Sequence, residues 1–218
     1  MTVRQPPDAI GVLISGRGSN LQALIDAVGD GRLDARIALV ISNRADAGGL
    51  RRAEAAGIET LVLDHRASAS RDEYDASLAR ELLVRGVRLV CLAGFMRLIG
   101  PPLLNAFPNA ILNVHPSLLP AFPGIDAQAQ ALAHGVRITG ATVHLVTGEL
   151  DGGPIVIQAP VPVLDDDTAE TLAARILVEE HRIFPEAARV MLEGGWTLDG
   201  RRFRRATRST TSPESTDA

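Results

Sequence analysis

The 218-residue sequence contains no lysine, so all 22 of its Lys and Arg residues are arginine. This absence excludes Schiff-base catalysis by a lysine amine and the lysine-dependent phosphate loop of nucleoside triphosphatases. Cysteine is almost as scarce. Cys91 is the only one, which excludes an internal disulfide and a metal site built from several cysteines. Because Cys91 lies in an apolar run, we predict a buried structural thiol.

We also expect no membrane segment and no leader, and the sequence has no broad basic field. No stretch approaches the roughly 20 apolar residues that a transmembrane helix needs. The polar residues 1–8 do not resemble a signal peptide, so a cytoplasmic location is expected. The formal net charge of −4 argues against a nucleic-acid partner.

Short apolar runs alternate with helical patterns through the first half of the chain. Such alternation is typical of βαβ units, whose parallel strands are buried on both faces. It predicts the α/β class, with a single doubly wound, mostly parallel sheet flanked by helices. The predicted strands are 10–15, 37–42, 60–63 and 87–93, and the predicted helices are 19–28, 47–56 and 71–84.

The pattern changes in the second half, where strands follow one another with one helix between them. The predicted elements are strands 110–114, 138–146 and 155–163 and a helix over 126–134. The last two strands are placed to pair as antiparallel neighbours at one end of the sheet. A long amphipathic helix follows, capped by Asp167-Thr168 and extending to about residue 192. We expect one domain over residues 1–203 and a disordered tail over 204–218.

The turn between the first strand and the first helix is rich in glycine, with the sequence Ser15-Gly16-Arg17-Gly18-Ser19-Asn20. Glycines let the backbone approach a ligand, and the amides at a helix N-terminus attract an anion. The dinucleotide fingerprint is incomplete, because Leu21 stands where its third glycine would be. The residues alone leave open a phosphate site or an ordinary turn with a capping serine. Arg71 is either a cation for the same phosphate or a solvated arginine at a helix end.

Three polar side chains in the second half suit acyl transfer. Asn113 and His115 lie at i and i+2, so a strand through them puts both on one face, and Pro116 holds His115 in extended backbone. An amide polarises a carbonyl, an imidazole donates to an oxyanion, and the Asp151 carboxylate orients the imidazole. Each also has a structural interpretation, as a loop histidine or as a turn-forming aspartate beside glycines. His144 is either a contact of Asp151 or a hydrogen-bonded core residue.

Four motifs occur in the order and spacing of one family. They are Ile-Ser-Gly-x-Gly-Ser-Asn at the first turn, Leu-Ala-Gly-Phe-Met-Arg at 92–97, Asn-Val-His-Pro-Ser-Leu-Leu-Pro at 113–120 and Leu-Asp-Gly-Gly-Pro at 150–154. The combination closely resembles the phosphoribosylglycinamide formyltransferases, the folate-dependent enzymes of purine biosynthesis. The resemblance extends from about Ile10 to the long final helix, and it implies the Rossmann-like formyltransferase fold.

The resemblance implies that a formyl group passes from 10-formyltetrahydrofolate, as co-substrate, to the amine of glycinamide ribonucleotide, with no metal. The N-terminal half would bind the ribonucleotide phosphate and the C-terminal half the folate. The implied catalytic residues are Asn113, His115 and Asp151. The implied ribonucleotide-binding residues are Gly18, Ser19, Asn20, Arg71 and Glu180. The implied folate-binding residues are Met96, Arg97, Leu98, Ile99, Thr147, Gly148, Glu149, Leu150 and Asp151. Thr142 and His144 would line and support the catalytic residues.

The sequence departs from the family pattern after Gly124. One or two histidines are common there, whereas this chain has Asp126, Ala127 and Gln128. Gln128 still hydrogen-bonds but does not titrate. We therefore expect these residues to support the site without being essential to it.

Three other functions are weighed against this one. Formyltetrahydrofolate deformylase transfers the formyl group to water and usually carries an N-terminal regulatory domain. Methionyl-tRNA formyltransferase usually carries a C-terminal nucleic-acid-binding domain. We expect neither extra domain here. A non-enzymatic nucleotide-binding regulator would use residues 16–20 without chemistry. The glycine-rich loop favours a phosphorylated small acceptor, so the expected partners are the two small substrates, with the protein a monomer or a homodimer.

Overall fold

A computed structural model describes residues 7–206, which form a nine-stranded sheet in the order β3-β2-β1-β4-β5-β6-β7-β9-β8. The strands are β1 Asp8–Ile14, β2 Ala35–Ser42, β3 Thr60–Val62, β4 Val87–Leu92, β5 Ile111–His115, β6 Ile138–Leu145, β7 Ile155–Pro162, β8 Trp196–Asp199 and β9 Arg202–Arg205. The helices are α1 Ser19–Gly29, α2 Gly48–Ala55, α3 Arg71–Leu83, α4 Pro101–Ala106, α5 Ala127–Ala133 and α6 Ala169–Glu193, with a 3₁₀ turn at His65–Ala67.

The first five strands are parallel and are covered on both faces. β1 lies between β2 and β4, and β4 pairs with β5. One core cluster packs α1, α2 and α6 on one face, and a second packs α3 and α4 on the other. Cys91 is fully buried in the first cluster, as predicted. The predicted doubly wound sheet with helices on both sides is confirmed.

Antiparallel strands follow in the C-terminal half of the sheet, also as predicted, although β7 and β9 are parallel. β6 pairs with β5 and with β7 in antiparallel register. That register sets Asn113 opposite His144 and His115 opposite Thr142. Side chains at directly opposed positions share one face of a sheet. The pairing therefore brings four of the predicted site residues to one face.

The long helix α6 begins and packs as its sequence indicates. Thr168 is the N-cap, and its hydroxyl accepts from the Thr171 amide while the Thr171 hydroxyl accepts from the Thr168 amide. This reciprocal capping satisfies two amides that the helix leaves unpaired. The predicted inner-face residues Leu172, Ile176 and Ile183 are all fully buried. Among residues 7–206, no helix is both long and apolar enough to span a membrane.

Two features of the structure were not predicted. One is the short helix α4, which starts with two prolines. The other is the β8–β9 hairpin, where the Trp196 and Phe203 rings stack with centroids 5.3 Å apart. Because β9 includes Arg204 and Arg205, the prediction of a disordered tail is wrong for these two residues. Paired aromatic rings and a backbone ladder supply the order that the polar composition of this stretch did not indicate. Residues 207–218 of the predicted tail lie outside the described part of the chain.

An alanine at Gly140 is expected to destabilise the β6–β7 pair. An added Cβ would lie 2.0 Å from the Ala159 carbonyl oxygen on β7 and 2.8 Å from the Leu118 Cδ2 atom. The strands would have to separate, so Gly140→Ala should lower the free energy of unfolding by about 1–3 kcal/mol in urea denaturation. The matched control is Gly29→Ala at the end of α1, where nothing lies within 4 Å of an added Cβ. Equal stability of Gly140→Ala and wild type would contradict the close strand approach.

Candidate active site

Asn113, His115 and His144 meet on one face of the sheet. Leu112 and Val114 point into the core beneath α6, so the alternate residues Asn113 and His115 point to the opposite face. Asn113 Nδ2 lies 3.2 Å from His144 Nε2 across the β5–β6 pair. The predicted shared face of Asn113 and His115 is thus observed, and His144 joins it through the antiparallel register.

The Asp151 carboxylate folds onto this face and contacts both imidazoles. Its Oδ2 lies 3.4 Å from His115 Nδ1, and its Oδ1 lies 3.5 Å from His144 Nε2. Oδ2 also accepts a 2.8 Å hydrogen bond from the Gly124 amide. The side chains of His115, His144 and Asp151 are 6%, 3% and 9% exposed. The structure therefore brings the predicted catalytic trio of Asn113, His115 and Asp151 together with His144 in a largely water-excluded cluster.

The pKa of Asp151 is lowered despite its burial. Loss of solvent acts to raise the pKa of this carboxyl. The contact with His144, the Gly124 amide and the charge of the two imidazoles when protonated act in the opposite direction and prevail. Asp151 is consequently an anion at neutral pH, suited to accept a proton or to balance a nearby cation.

Each imidazole has one nitrogen bound to a backbone carbonyl. His115 Nε2 lies 2.8 Å from the Phe122 oxygen, and His144 Nδ1 lies 3.0 Å from the Leu145 oxygen. A carbonyl oxygen only accepts, so both of these nitrogens carry a proton. The other nitrogen of each ring faces Asp151. The two rings are thereby fixed in orientation around the carboxylate.

The loops that complete the site contain left-handed backbone at residues other than glycine. Phe122, Asp126 and Asp151 have φ values of 54°, 55° and 48°. For a bulky side chain such as Phe122 this conformation is unfavourable, and it persists only where the surrounding contacts enforce it. The Phe122 residue in this conformation supplies the carbonyl that accepts from His115. The Asp151 residue in this conformation supplies the carboxylate that contacts both imidazole rings.

Thr142 supports the site through the proline-rich loop. Its hydroxyl donates to the Ser117 carbonyl at 2.7 Å and accepts from the Leu119 amide at 3.1 Å. It also accepts from Gln158 Nε2 at 2.9 Å. Thr142 is fully buried, so these bonds fix the segment that follows His115 to the sheet. The loop in turn supplies the Phe122 carbonyl and the Gly124 amide.

The glycine-rich loop is packed tightly against the start of α2. Gly18 has φ 73°, and a Cβ on it would lie 2.5 Å from the Gly49 Cα. The Gly16 carbonyl accepts from the Gly49 amide at 3.1 Å, and the Arg17 carbonyl accepts from Arg52 Nε at 3.0 Å. Because α2 residues bond two of its carbonyls, the backbone of the loop is fixed where it leads into α1.

Behind this loop, Asn20 on α1 meets Glu180 on α6. Asn20 Nδ2 donates to Glu180 Oε2 at 2.7 Å, whereas the buried Asn20 Oδ1 has no hydrogen-bond partner. Burial raises the pKa of Glu180, and the Asn20 hydrogen bond only partly opposes this. The Asn20–Glu180 hydrogen bond therefore ties the first turn of α1 to the middle of α6. The structure thus unites two predicted ribonucleotide residues that are 160 positions apart.

The predicted folate segment, residues 96–99, follows β4. Met96 and Leu98 are 76% and 54% exposed, whereas Ile99 is buried in the core. Arg97 lies over the Tyr74 ring, 5.2 Å from its centroid. Exposed apolar side chains on a loop at the sheet edge are suited to an aromatic ligand.

Arg71 lies beside the end of this segment, because its Cδ is 3.6 Å from the position of a Cβ on Gly100. The prediction that Arg71 serves the ribonucleotide stays a prediction. The second predicted folate segment, from Thr147 to Asp151, forms a turn with Gly148, Glu149 and Leu150 exposed.

Several groups at the site were not predicted from the sequence. Ser15 hydrogen-bonds to Asn43 and to the Met96 amide, and Gln158 holds the Leu119 carbonyl. The backbone groups of Phe122 and Gly124 contact the trio directly. The one sequence signal that pointed to Ser15 was its position within the motif of the first turn. Gln130 Nε2 donates to the carbonyls of Pro123 and Ile125.

Comparison with known sequences agrees with this geometry. Residues 9–188 match the family described as formyl transferase. The chain belongs to the formyl transferase family. A curated formyl transferase, the phosphoribosylglycinamide formyltransferase of Escherichia coli strain K12, is 45% identical over 190 residues, which cover 87% of each chain. The trifunctional purine biosynthetic protein adenosine-3 of Gallus gallus is 48% identical over 185 residues. The matched part is 85% of this chain but only 18% of that much longer protein.

Solved formyl transferase structures have the same architecture. Glycinamide ribonucleotide transformylase 1 from Symbiobacterium toebii superposes with a TM-score of 0.92 at 56% sequence identity, covering 94% of this chain and 97% of that one. Phosphoribosylglycinamide formyltransferase from Brucella melitensis gives a TM-score of 0.82 at 45% identity, covering 89% and 100%.

The lowered pKa of Asp151 predicts how stability depends on pH. Its ordinary value is 3.8, and a lower folded-state value means that folding favours the anion. This stabilisation is complete well above pH 3.8 and is lost as the pH falls through the folded-state pKa. The stability difference between wild type and Asp151→Asn should therefore shrink on acidification from about pH 6 to about pH 3. Urea denaturation at a series of pH values measures it, and a constant difference would contradict the shift.

Proposed function

We propose that this chain transfers the formyl group of 10-formyltetrahydrofolate to the amine of glycinamide ribonucleotide, a step of de novo purine biosynthesis. The observation that carries the proposal is the buried contact of Asp151 with His115 and His144 beside Asn113. It occurs in a chain that is 45% identical to a phosphoribosylglycinamide formyltransferase over 87% of both lengths. The proposal takes residues 1–203 as one catalytic domain acting in the cytoplasm, as a monomer or a homodimer.

The strand register supports a phosphorylated acceptor that spans from the loop to the trio. Leu13 on β1 pairs with Leu92 on β4, and Leu92 pairs with Asn113 on β5. Two strand spacings, about 10 Å, therefore separate the strand that leads into the phosphate loop from Asn113. The phosphate would accept from the amides of Gly18, Ser19 and Asn20, with the ribose toward Glu180. The glycinamide amine then extends toward the trio.

The formyl donor is proposed to bind from the other side. The pterin would contact the exposed segment 96–99 and the turn from Thr147 to Asp151. The apolar Met96, Leu98 and Leu150 side chains are 76%, 54% and 59% exposed. Covering such surface with a fused aromatic ring is favourable by about 25 cal/mol per Å² of apolar area removed from water.

The reaction joins the amine nitrogen to the formyl carbon and then breaks the bond from that carbon to N10 of the folate. The carbonyl electron pair moves to oxygen in the tetrahedral intermediate and returns when N10 leaves. Asn113 Nδ2–H and His115 Nδ1–H donate to the oxyanion, since His115 Nε2 is held by the Phe122 carbonyl. Asp151 accepts the proton of the attacking amine through water, and a proton is returned to N10, so the overall reaction releases none. No step requires a metal.

A two-substrate assay tests the reaction directly. Tetrahydrofolate should form only when both 10-formyltetrahydrofolate and glycinamide ribonucleotide are present, because the amine is the nucleophile. The absorbance change that accompanies loss of the formyl group follows it. Equal turnover without the ribonucleotide would identify a deformylase that transfers to water. No turnover under either condition would identify a binding protein.

Asp151→Asn separates catalysis from acceptor binding. The amide keeps the shape of the side chain but can neither accept the amine proton as a base nor balance a charged imidazole. We expect kcat to fall on the order of 100-fold or more. The Kd for glycinamide ribonucleotide, measured by calorimetry, should stay near the wild-type value. A kcat close to wild type would show that Asp151 lacks the proposed role.

A further inference from the structure

A buried serine at the end of β1 joins two neighbouring loops. Ser15 and Asn43 are 6% and 7% exposed. The Ser15 hydroxyl donates to Asn43 Oδ1 at 2.7 Å and accepts from the Met96 amide at 2.9 Å. Because Asn43 takes the hydroxyl proton, an oxygen lone pair is left to face Met96. The Ser15 amide also donates to the Gly94 carbonyl at 3.1 Å.

These bonds connect the two proposed substrate sites. The glycine-rich loop that is proposed to hold the ribonucleotide phosphate begins at Gly16, immediately after Ser15. Met96 is the first residue of the segment proposed to hold the pterin. The two loops leave adjacent parallel strands, β1 and β4. The Ser15 side chain thus joins the residue that precedes the glycine-rich loop to the backbone of the first residue of the folate segment.

The folate segment depends on this bond for the position of its first peptide group. Gly94, two residues before Met96, has φ 74°, and because it is a glycine its backbone can adopt other conformations at little steric cost. Phe95 and Ile99 anchor the segment in the core through apolar contacts. At the far end, the Gly100 amide donates to the buried Asp75 carboxylate at 2.5 Å. Ser15 is therefore the polar anchor at the near end, and Asp75 is the one at the far end.

The glycine-rich loop cannot absorb a displacement at Ser15 internally. Its Gly16 and Arg17 carbonyls are bonded to Gly49 and Arg52, and Gly18 is in contact with Gly49. A loop restrained at three successive residues moves as a unit or not at all. A ligand that fixes this loop consequently also fixes the hydroxyl that receives the Met96 amide.

We propose that Ser15 is a positioning residue that couples the two sites, so that each substrate raises the affinity of the protein for the other. The inference rests on the proposed function. The first ligand to bind loses the conformational entropy of ordering the shared Asn43–Ser15–Met96 contacts. The second ligand then binds to contacts that are already ordered, so its binding loses less conformational entropy. The coupling is reciprocal, because both routes lead to the same ternary complex.

Calorimetric titration measures the coupling without turnover. Tetrahydrofolate and glycinamide ribonucleotide do not react with each other, so they form a stable ternary complex. In the wild type, saturating ribonucleotide should lower the Kd of tetrahydrofolate about fivefold or more. The coupling is expressed as the ratio of the tetrahydrofolate Kd without ribonucleotide to the Kd with saturating ribonucleotide. In Ser15→Ala, which removes the hydroxyl, this ratio should approach one. In Ser15→Thr, which keeps it, the ratio should recover at least in part.

Two further variants separate coupling from a general loss of structure. Asn43→Ala keeps the serine but removes the acceptor that orients its hydroxyl, so the ratio should fall there as well. Ser77→Ala is the matched control. Its hydroxyl donates to the Glu73 carbonyl and accepts from Arg80 Nη2, both within α3, and the wild-type ratio should persist. A merely structural role of Ser15 would weaken binding of each ligand alone and leave the ratio intact.

The outcomes distinguish this proposal from the one on which it rests. A wild type that catalyses formyl transfer but shows a Kd ratio of one overturns the coupling alone. So does a Ser15→Ala variant with the wild-type ratio. A wild type that binds neither ligand, and shows no turnover with both substrates, overturns the proposed function and the coupling together.

Discussion

The candidate site depends on a carboxylate that is buried between two imidazole rings. Removing the Asp151 carboxylate from water costs several kcal/mol unless hydrogen bonds and opposite charge offset it. The offset comes from His115 at the end of β5, His144 in β6 and the Gly124 amide. Three separate parts of the chain must therefore be in place before the turn at Asp151 folds onto the sheet. The left-handed backbone at Asp151, with φ 48°, is what brings the carboxylate to them.

The order of the strands explains why two ligands are able to meet at this contact. β1 and β4 are neighbours, and the helices that follow them, α1 and α4, pack on opposite faces of the sheet, so the two connections leave in opposite directions. In doubly wound sheets, this arrangement opens a crevice at the carboxyl ends of the strands. The glycine-rich loop and the 96–99 segment both start there. The antiparallel strand β6 closes the other side of the site and contributes His144, which a purely parallel sheet would not place opposite Asn113.

Much of this arrangement could be predicted from local patterns. The alternation of residues along a strand shows which side chains share a face of the sheet, and glycines mark the turns. The shared face of Asn113 and His115 follows from their i, i+2 spacing alone. What could not be predicted depends on contacts between distant residues. Helix α4 starts with two prolines and has only six residues, fewer than two turns, so no repeating apolar pattern marks it. The β8–β9 hairpin gains its order from the Trp196–Phe203 stack. The Phe122 carbonyl reaches His115 only through a backbone conformation that its own side chain disfavours.

The donors and acceptors around the two imidazoles also assign them different roles. His144 Nε2 lies 3.2 Å from Asn113 Nδ2 and 3.5 Å from Asp151 Oδ1, so this ring links the amide to the carboxylate across the β5–β6 pair. Its Nδ1 donates to the Leu145 carbonyl, which fixes the orientation of the ring. His115 already donates from Nε2 to Phe122, and its Nδ1 faces the anionic Asp151. His115 is therefore held by the proline-rich loop on one side and lies beside the carboxylate on the other. Asn113 and His115 stand next to each other on the face where the proposed oxyanion would form, and Asp151, which contacts both rings, is within reach of the same place.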